Sequence, residues 1–143
     1  VRKGIKIDIK AAAAEREAVF CLADAVQRHI ALHEMGYVLL FGDGALGDPA
    51  GAVIGDNCNL HKGVTIGQEN RGKRKGCPTL GDRVWVGVNA TVVGNITIGD
   101  DVLIAPNSYV NCDVPSHSIV LGNPCVIKPR ENATEGYIDF TVD

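Results

Sequence analysis

A six-residue period governs the hydrophobic pattern between Ile54 and Ile127. Branched aliphatic residues recur in the first place of each hexad, the second place is most often Gly, and the fifth place is small or β-branched. This is neither a helical nor a strand period. The first-place residues are Ile54, Leu60, Ile66, Leu80, Val86, Val92, Ile98, Ile104, Val110 and Val120.

Self-similarity at a fixed short period predicts a solenoid, in which each rung buries its aliphatic residue against the rungs before and after it. Three hexads make one triangular turn of a parallel β-helix, with Gly, Asn and Asp at the tight corners. A doubly wound α/β domain is the alternative. It is disfavoured because no stretch between Leu80 and Pro115 has the length and apolar stripe of a helix.

The flanking segments follow other patterns. Residues 1–51 form an N-terminal region in which Ala11–Glu34 is rich in helix formers and Tyr37–Phe41 reads as a buried strand. The solenoid is expected over residues 52–128, and residues 129–143 form a polar tail. The predicted class is therefore mostly β, a β-helix of hexapeptide repeats with an N-terminal helical segment.

The period breaks once, at residues 68–79, where eight extra residues precede Leu80. We expect an extruded loop there, and loops on rigid scaffolds often carry function. Its basic residues, Arg71, Lys73, Arg74 and Lys75, are the densest positive charge in the chain. They indicate either an anion-binding loop or a solvated one.

Composition narrows the function classes. The 143 residues fit one domain, and a net charge of −3 argues against nucleic acid as a partner. No apolar run has the length of a membrane span, and Val1-Arg2-Lys3 does not open a secretory leader. The five cysteines contain no CxxC pair, so neither a disulfide framework nor a zinc site is signalled. These features predict a cytoplasmic protein without a metal.

The segment VTIGQENRGKRKGCPTLGDRVWVGVNATVVGNITIGDDVLIAPNSYV, followed by DVPSHSIVLGNP, resembles the hexapeptide-repeat acyltransferases, most closely the serine acetyltransferases. The resemblance implies a left-handed β-helix that assembles as a homotrimer with active sites between neighbouring solenoids. It also implies acetyl-coenzyme A as co-substrate, O-acetyl transfer to a small hydroxyl acceptor, and a place in cysteine biosynthesis. By position, it places the coenzyme along the backbone of Gly67, Gly87, Val88, Ala105 and Pro106. Arg71 and Lys73 are the expected phosphate contacts.

Two positions depart from the resembled family. Where its members have a His-X-X-Gly segment before the regular register, this chain has Gly42-Asp43, and where they have His before the Pro of the loop, it has Cys77 before Pro78. O-acetyl transfer needs a base for the acceptor hydroxyl. The candidate is His61, which occupies a second-place corner where sister hexads carry Gly. The alternative is an exposed His without a role. Asp43 and Cys77 are the other catalytic candidates.

Other functions of the same solenoid stay open at this point. A sugar or polysaccharide O-acetyltransferase would share the motif, and so would a non-catalytic structural or binding solenoid. A zinc carbonic anhydrase on this fold needs three His ligands, and no His lies between residues 62 and 116. The residues do not identify the acceptor.

Overall fold

The computed structural model describes residues 52–138 and 141, together with two dipeptides, 31–32 and 39–40. Within these residues the chain forms three sheets, and the strands of the solenoid pair in parallel. Consecutive strands of the solenoid fall in different sheets, so three strands complete one turn. The fold is a left-handed parallel β-helix, which confirms the predicted fold class.

The three sheets are the flat sides of a triangular prism. Side 1 contains β3 (Val53–Ile54), β6 (Thr79–Leu80) and β9 (Thr97–Ile98). Side 2 contains β1 (Ala31–Leu32), β4 (Asn59–Leu60), β7 (Val84–Val86), β10 (Val102–Ile104) and β12 (Ser118–Leu121). Side 3 contains β2 (Leu39–Leu40), β5 (Thr65–Gly67), β8 (Thr91–Val93) and β11 (Tyr109–Val110). The last strand, β13 (Val126–Pro129), pairs antiparallel with β12 at the end of side 2.

The hexad pattern becomes the core of the prism. All the first-place aliphatic residues are buried, and Ile54 is the most exposed of them at 5%. Equivalent residues stack between coils, since Val92 pairs with Ile66 on one side and with Val110 on the other. Each such aliphatic side chain contributes roughly 1.5–3 kcal/mol by leaving water. The fifth-place residues from Cys58 to Val114 are buried as well.

The Gly-Asp pairs of the repeat are explained by the edge between sides 1 and 2. A Cβ on Gly81 would lie 2.9 Å from the carbonyl carbon of Gly99 in the next coil, so the corner has no room for a side chain. The following aspartates link the coils. Asp82 Oδ1 accepts a hydrogen bond from the Asp56 N–H at 2.8 Å, and Asp100 Oδ1 accepts one from the Asp82 N–H at 2.7 Å.

The expected insertion is also present. Ile54 pairs with Leu80, 26 positions later, whereas Leu80 pairs with Ile98, 18 positions later. The difference is the eight residues that the sequence pattern assigned to the extruded loop.

The predicted N-terminal helix lies mostly outside the described residues. Ala31–Leu32, which fall in its last turns, form β1 and pair in parallel with β4, so the helix does not reach Glu34. Sheet pairing has overridden a local helix preference there. The strand predicted over Tyr37–Phe41 is confirmed at Leu39–Leu40, which pairs with β5.

Candidate functional site

The edge between sides 2 and 3 brings together half of the ten candidate residues. His61 N–H donates to Val86 O at 3.1 Å, Gly87 N–H to Ile104 O at 2.8 Å, and Ala105 N–H to Val120 O at 2.9 Å. His61, Gly87 and Ala105 therefore form one column, a residue per coil. Val88 and Pro106 directly follow two of them, so five predicted residues share this edge, which we name the histidine edge.

Gly87 is required by the scaffold itself. A Cβ at this position would lie 2.6 Å from Pro106 N and 2.9 Å from Trp85 Cζ3, and both distances are shorter than real Cβ contacts. The small residue thus allows Pro106 of the next coil to approach the backbone. Gly87 itself is buried by this contact, whereas Val88 and Pro106 are the exposed residues of the histidine edge.

Three rings stand side by side next to the histidine edge. The His61 and Trp85 ring centroids are 4.6 Å apart with planes tilted by 53°. On its other side Trp85 meets Tyr137 edge-on at 5.0 Å. Such tilted and edge-on arrangements are the favoured geometries of aromatic pairs. The imidazole is thereby held against the outer face of side 2.

Tyr137 belongs to residues 130–138, the C-terminal segment, which folds back across side 2. Its middle is held by Asp101, a buried aspartate in the last complete coil. Asp101 accepts hydrogen bonds from Ala133 N–H at 3.0 Å, Thr134 N–H at 3.0 Å and Thr134 Oγ1 at 2.6 Å. The end of the C-terminal segment is held by Asn59, whose Nδ2 donates a hydrogen bond to Tyr137 O at 3.3 Å.

The electrostatics of this attachment favour the ionised carboxylate. Burial alone would raise the pKa of Asp101, but the donors from Thr134, His117 and Ala133 outweigh burial and lower this pKa to about 2. His117 Nδ1 lies 2.9 Å from Asp101 Oδ2. The hydrogen bond to Asp101 raises the pKa of His117, and Glu131 at 3.6 Å acts in the same direction. The C-terminal segment is thus held through a charged group.

A cavity of about 500 Å³ lies between the C-terminal segment and side 2. The solenoid wall is apolar, and the C-terminal segment supplies polar groups. The lining residues that matter here are Trp85, Ala105, Pro106, Arg130, Glu135 and Tyr137. The cavity therefore opens beside two of the predicted coenzyme-binding residues and the indole that packs on His61.

The remaining described candidates lie at a different edge, between sides 3 and 1. Gly67 ends β5, and the chain then leaves the coil as a hairpin in which Glu69 and Gly76 exchange backbone hydrogen bonds of 3.0 and 2.9 Å. Arg71 and Lys73 are exposed on this hairpin, and Cys77 is half-buried at its base. The structure does not bring these residues to His61 within one chain. Asp43 lies outside the described residues.

The hairpin is an ordered part of the coil surface. Arg74 pairs with Glu69 at 3.0 Å, next to a 3-10 helix at Gly72–Arg74. The Arg74 carbonyl accepts a hydrogen bond of 2.8 Å from Asn95 N–H in the following coil. One of the basic residues is therefore neutralised within the hairpin, while Arg71, Lys73 and Lys75 face solvent.

Comparison with known proteins agrees with this architecture. The family described as bacterial transferase hexapeptide (six repeats) matches residues 77–112. Residues 77–112 are therefore a hexapeptide-repeat segment of the bacterial transferase type, in line with the resemblance. Among curated hexapeptide-repeat proteins, it is 43% identical over 86 residues to a serine acetyltransferase of Helicobacter pylori, covering 59% of this chain and 50% of the relative. It is 42% identical over 87 residues to that of Staphylococcus xylosus, covering 59% and 40%.

Solved hexapeptide-repeat structures are similar too. The serine acetyltransferase of Brucella abortus aligns with a TM-score of 0.59 at 30% identity, over 73% of this chain and 39% of that one. The Neisseria gonorrhoeae enzyme in complex with serine aligns with a TM-score of 0.55 at 35% identity, over 69% and 37%. The chain spans half or less of the length of these relatives. In the part of the chain that the structure describes, no helix has the length and hydropathy of a membrane span.

Sequence reasoning missed the attachment of the C-terminal segment to this hexapeptide-repeat scaffold. One signal was available at Asp101, which follows Asp100 in a hexad whose sisters have Asn57 and Arg83 at the same place. All three adopt positive φ, between 52° and 55°, a conformation that Asn and Asp tolerate best. Nothing in the pattern indicated that Ala133 and Thr134 would be its partners.

Proposed function

We propose that this protein is an acetyl-coenzyme A-dependent O-acetyltransferase of the serine acetyltransferase type, acting on a small hydroxyl acceptor. The observation that carries the proposal is the histidine edge, where an imidazole shares one column with the small residues Gly87 and Ala105, beside a cavity of about 500 Å³. The similarity to serine acetyltransferases supports the same reaction class.

The histidine edge fits the thin arm of the coenzyme. Val88 is 37% exposed, Pro106 is exposed, Ala105 is half-buried, and Gly87 is buried against Pro106 of the next coil. Pro106 lines the cavity together with an apolar wall. Because a pantetheine arm is narrow and largely extended, it is accommodated best where Cβ atoms are few. When bound, acetyl-coenzyme A supplies an acyl group already activated as a thioester.

The protein's own part in the reaction is proton transfer. His61 accepts the proton of the acceptor hydroxyl as the oxygen attacks the acyl carbon, and returns it to the departing thiol sulfur. Its packing against Trp85, with ring centroids 4.6 Å apart, limits the orientations of the imidazole. Direct transfer is simpler than an acyl-enzyme on Cys77, because it needs no covalent intermediate and no activated thiolate.

A second copy of the chain supplies the rest of the site in this proposal. The basic hairpin and Gly67 lie one flat side away from His61. The hairpin edge and the histidine edge can therefore meet only across an interface between two copies, as in the homotrimer that the resemblance implies. Exposed apolar side chains such as Val88 and Tyr109, 37% and 38% exposed, give side 3 a surface for a neighbour. Arg71 and Lys73 of one copy would then contact phosphates of coenzyme bound along the histidine edge of the next.

The acceptor is assigned by analogy with relatives. A structure of the gonococcal enzyme contains serine, which makes serine the first acceptor to test. A sugar or polysaccharide hydroxyl is the second candidate. It is favoured by Cys77, which stands before Pro78 where the resembled family has its second His, since this departure alters the acceptor side of the site.

The test measures thiol release from acetyl-coenzyme A with serine and with a panel of sugars. His61→Ala is expected to lose about 10²–10⁴-fold in kcat while binding coenzyme normally, because a positioned base contributes that much. Lys62→Ala is the matched control, since it removes the exposed side chain directly after His61. Parent-like turnover by His61→Ala, or loss of turnover in Cys77→Ser alone, would contradict the assignment.

A further inference from the structure

Two cysteines touch at the C-terminal end of the solenoid, away from the histidine edge. The sulfurs of Cys112 and Cys125 are 3.8 Å apart, and neither is in a disulfide. Cys112 lies just beyond β11, and Cys125 lies in the turn that joins β12 to β13. The contact between the two thiols therefore lies between the last coil and the turn that closes the solenoid.

Backbone contacts hold this turn in place without help from the sulfurs. Tyr109 N–H donates to Gly122 O at 3.0 Å, and Gly122 N–H donates to Ser108 Oγ at 3.1 Å. The proximity of the two cysteines is thus built into the fold. A disulfide needs a sulfur separation of about 2.05 Å, so the sulfurs must approach by less than about 2 Å. Rotation of the exposed Cys112 side chain can supply most of this approach.

The two thiols differ in exposure in the way that a thiol–disulfide site requires. Cys112 is exposed, whereas Cys125 is half-buried and packs against the hydrophobic core. A reagent in solvent can reach Cys112 first, and Cys125 is then positioned to resolve the adduct. Cys58 contrasts with both, because it is fully buried and burial raises its thiol pKa to about 12.

We propose that Cys112 and Cys125 form a reversible dithiol–disulfide site that fastens the terminal turn to the last coil when a small-molecule disulfide oxidises it. The Cys112 thiolate attacks one sulfur of the reagent, whose S–S bond breaks and releases one small thiol with the proton. The Cys125 thiolate then attacks Cys112 Sγ and displaces the second small thiol, which takes the second proton. Two electrons pass from the protein to the reagent, and an excess of thiol reverses both steps.

The charges around the pair set the pH dependence of the first step. Partial burial, the contact with Cys125 and the carboxylate of Asp113 raise the pKa of Cys112, and the Arg74 guanidinium opposes this shift. Little thiolate is present at neutral pH as a result. The exchange rate is expected to increase with pH from neutral to alkaline solution.

The experiment exposes the full chain, in its native assembly, to oxidised glutathione and then blocks the remaining thiols by alkylation. A protease that cleaves before Asp113 separates the two cysteines, so a disulfide appears as a cross-linked peptide pair in non-reducing mass spectrometry. We expect Cys112 and Cys125 to lose alkylation together and the thermal midpoint to rise by several degrees. Both changes should disappear on reduction.

Variants make the result decisive. Cys125→Ser should stop at a stable glutathione adduct on Cys112, and Cys77→Ser, the matched control, should cross-link at the parental rate. The proposal is overturned if the parent protein itself accumulates that adduct while Cys125 remains alkylatable, or if the cross-link joins different copies. The parent measurement decides the question even if a variant fails to fold.

Discussion

Replacing Asp101 by Asn should detach the C-terminal segment from the solenoid. The carboxylate accepts from Ala133 and Thr134 of that segment, and it is 5% exposed, so solvent screens it little. An Asn side chain has the same shape but turns an NH2 group toward some of these donors. The segment then loses charged hydrogen bonds and keeps buried donors without acceptors.

The size of the effect follows from the pKa. Asp101 titrates at about 2, against an ordinary value of 3.8. That lowering corresponds to about 2 kcal/mol, or roughly a 30-fold change in an equilibrium. Because His117 of the solenoid causes part of the lowering, the preference for the attached state at neutral pH is at most that large. The stabilisation is present above the unfolded-state pKa and is lost as the pH falls from about 4 through about 2.

Hydrogen exchange measures this directly, because the Ala133 and Thr134 amides donate to Asp101. At pH 7 their protection should decrease by up to about 30-fold in Asp101→Asn. Trp85, the single tryptophan, should report the loss of Tyr137 by fluorescence, and the parent protein should show the same change only near pH 2. Asp100→Asn is the matched control, since Asp100 binds Asp82 N–H and not the C-terminal segment. Equal amide protection in the parent and Asp101→Asn would refute the reasoning.

Three further outcomes are expected. Gly81→Ala should destabilise the coil by about 1–3 kcal/mol in chemical unfolding, since its Cβ would overlap Gly99 and the Asp100 carboxylate; an unchanged midpoint would contradict the stacking argument. Neutralising Arg71 and Lys73 should weaken coenzyme binding and flatten its salt dependence in calorimetry, whereas unchanged affinity would make the hairpin a solvated loop. His61→Ala and the Arg71/Lys73 variant should also be refolded together in equal amounts. If each site combines His61 of one copy with the hairpin of the next, about a quarter of the sites should contain both intact groups and regain activity. If each chain forms its own site, none should.

The sequence by itself determined the solenoid and its register. Each hexad repeats one local rule, an inward aliphatic residue followed by a corner without a side chain, so the core from Ile54 to Val120 and the eight-residue insertion could be counted from the pattern. His61 stood out for the same reason, as a departure from the rule. The period also assigns residues to edges, which fixes Gly87 and Ala105 in one column with His61.

Tertiary structure decided the features that lie outside the period. Asp101 meets Ala133 and Thr134 across 32 and 33 positions of chain, and Cys112 meets Cys125 across 13, after the repeat has ended. Likewise, β1 forms where local preference favoured a helix, because pairing with β4 outweighs the intrinsic preference of two residues. No repeated pattern encodes such contacts. They arise only when the finished coil offers a surface, a buried carboxylate or an unpaired strand to which a flanking segment can attach.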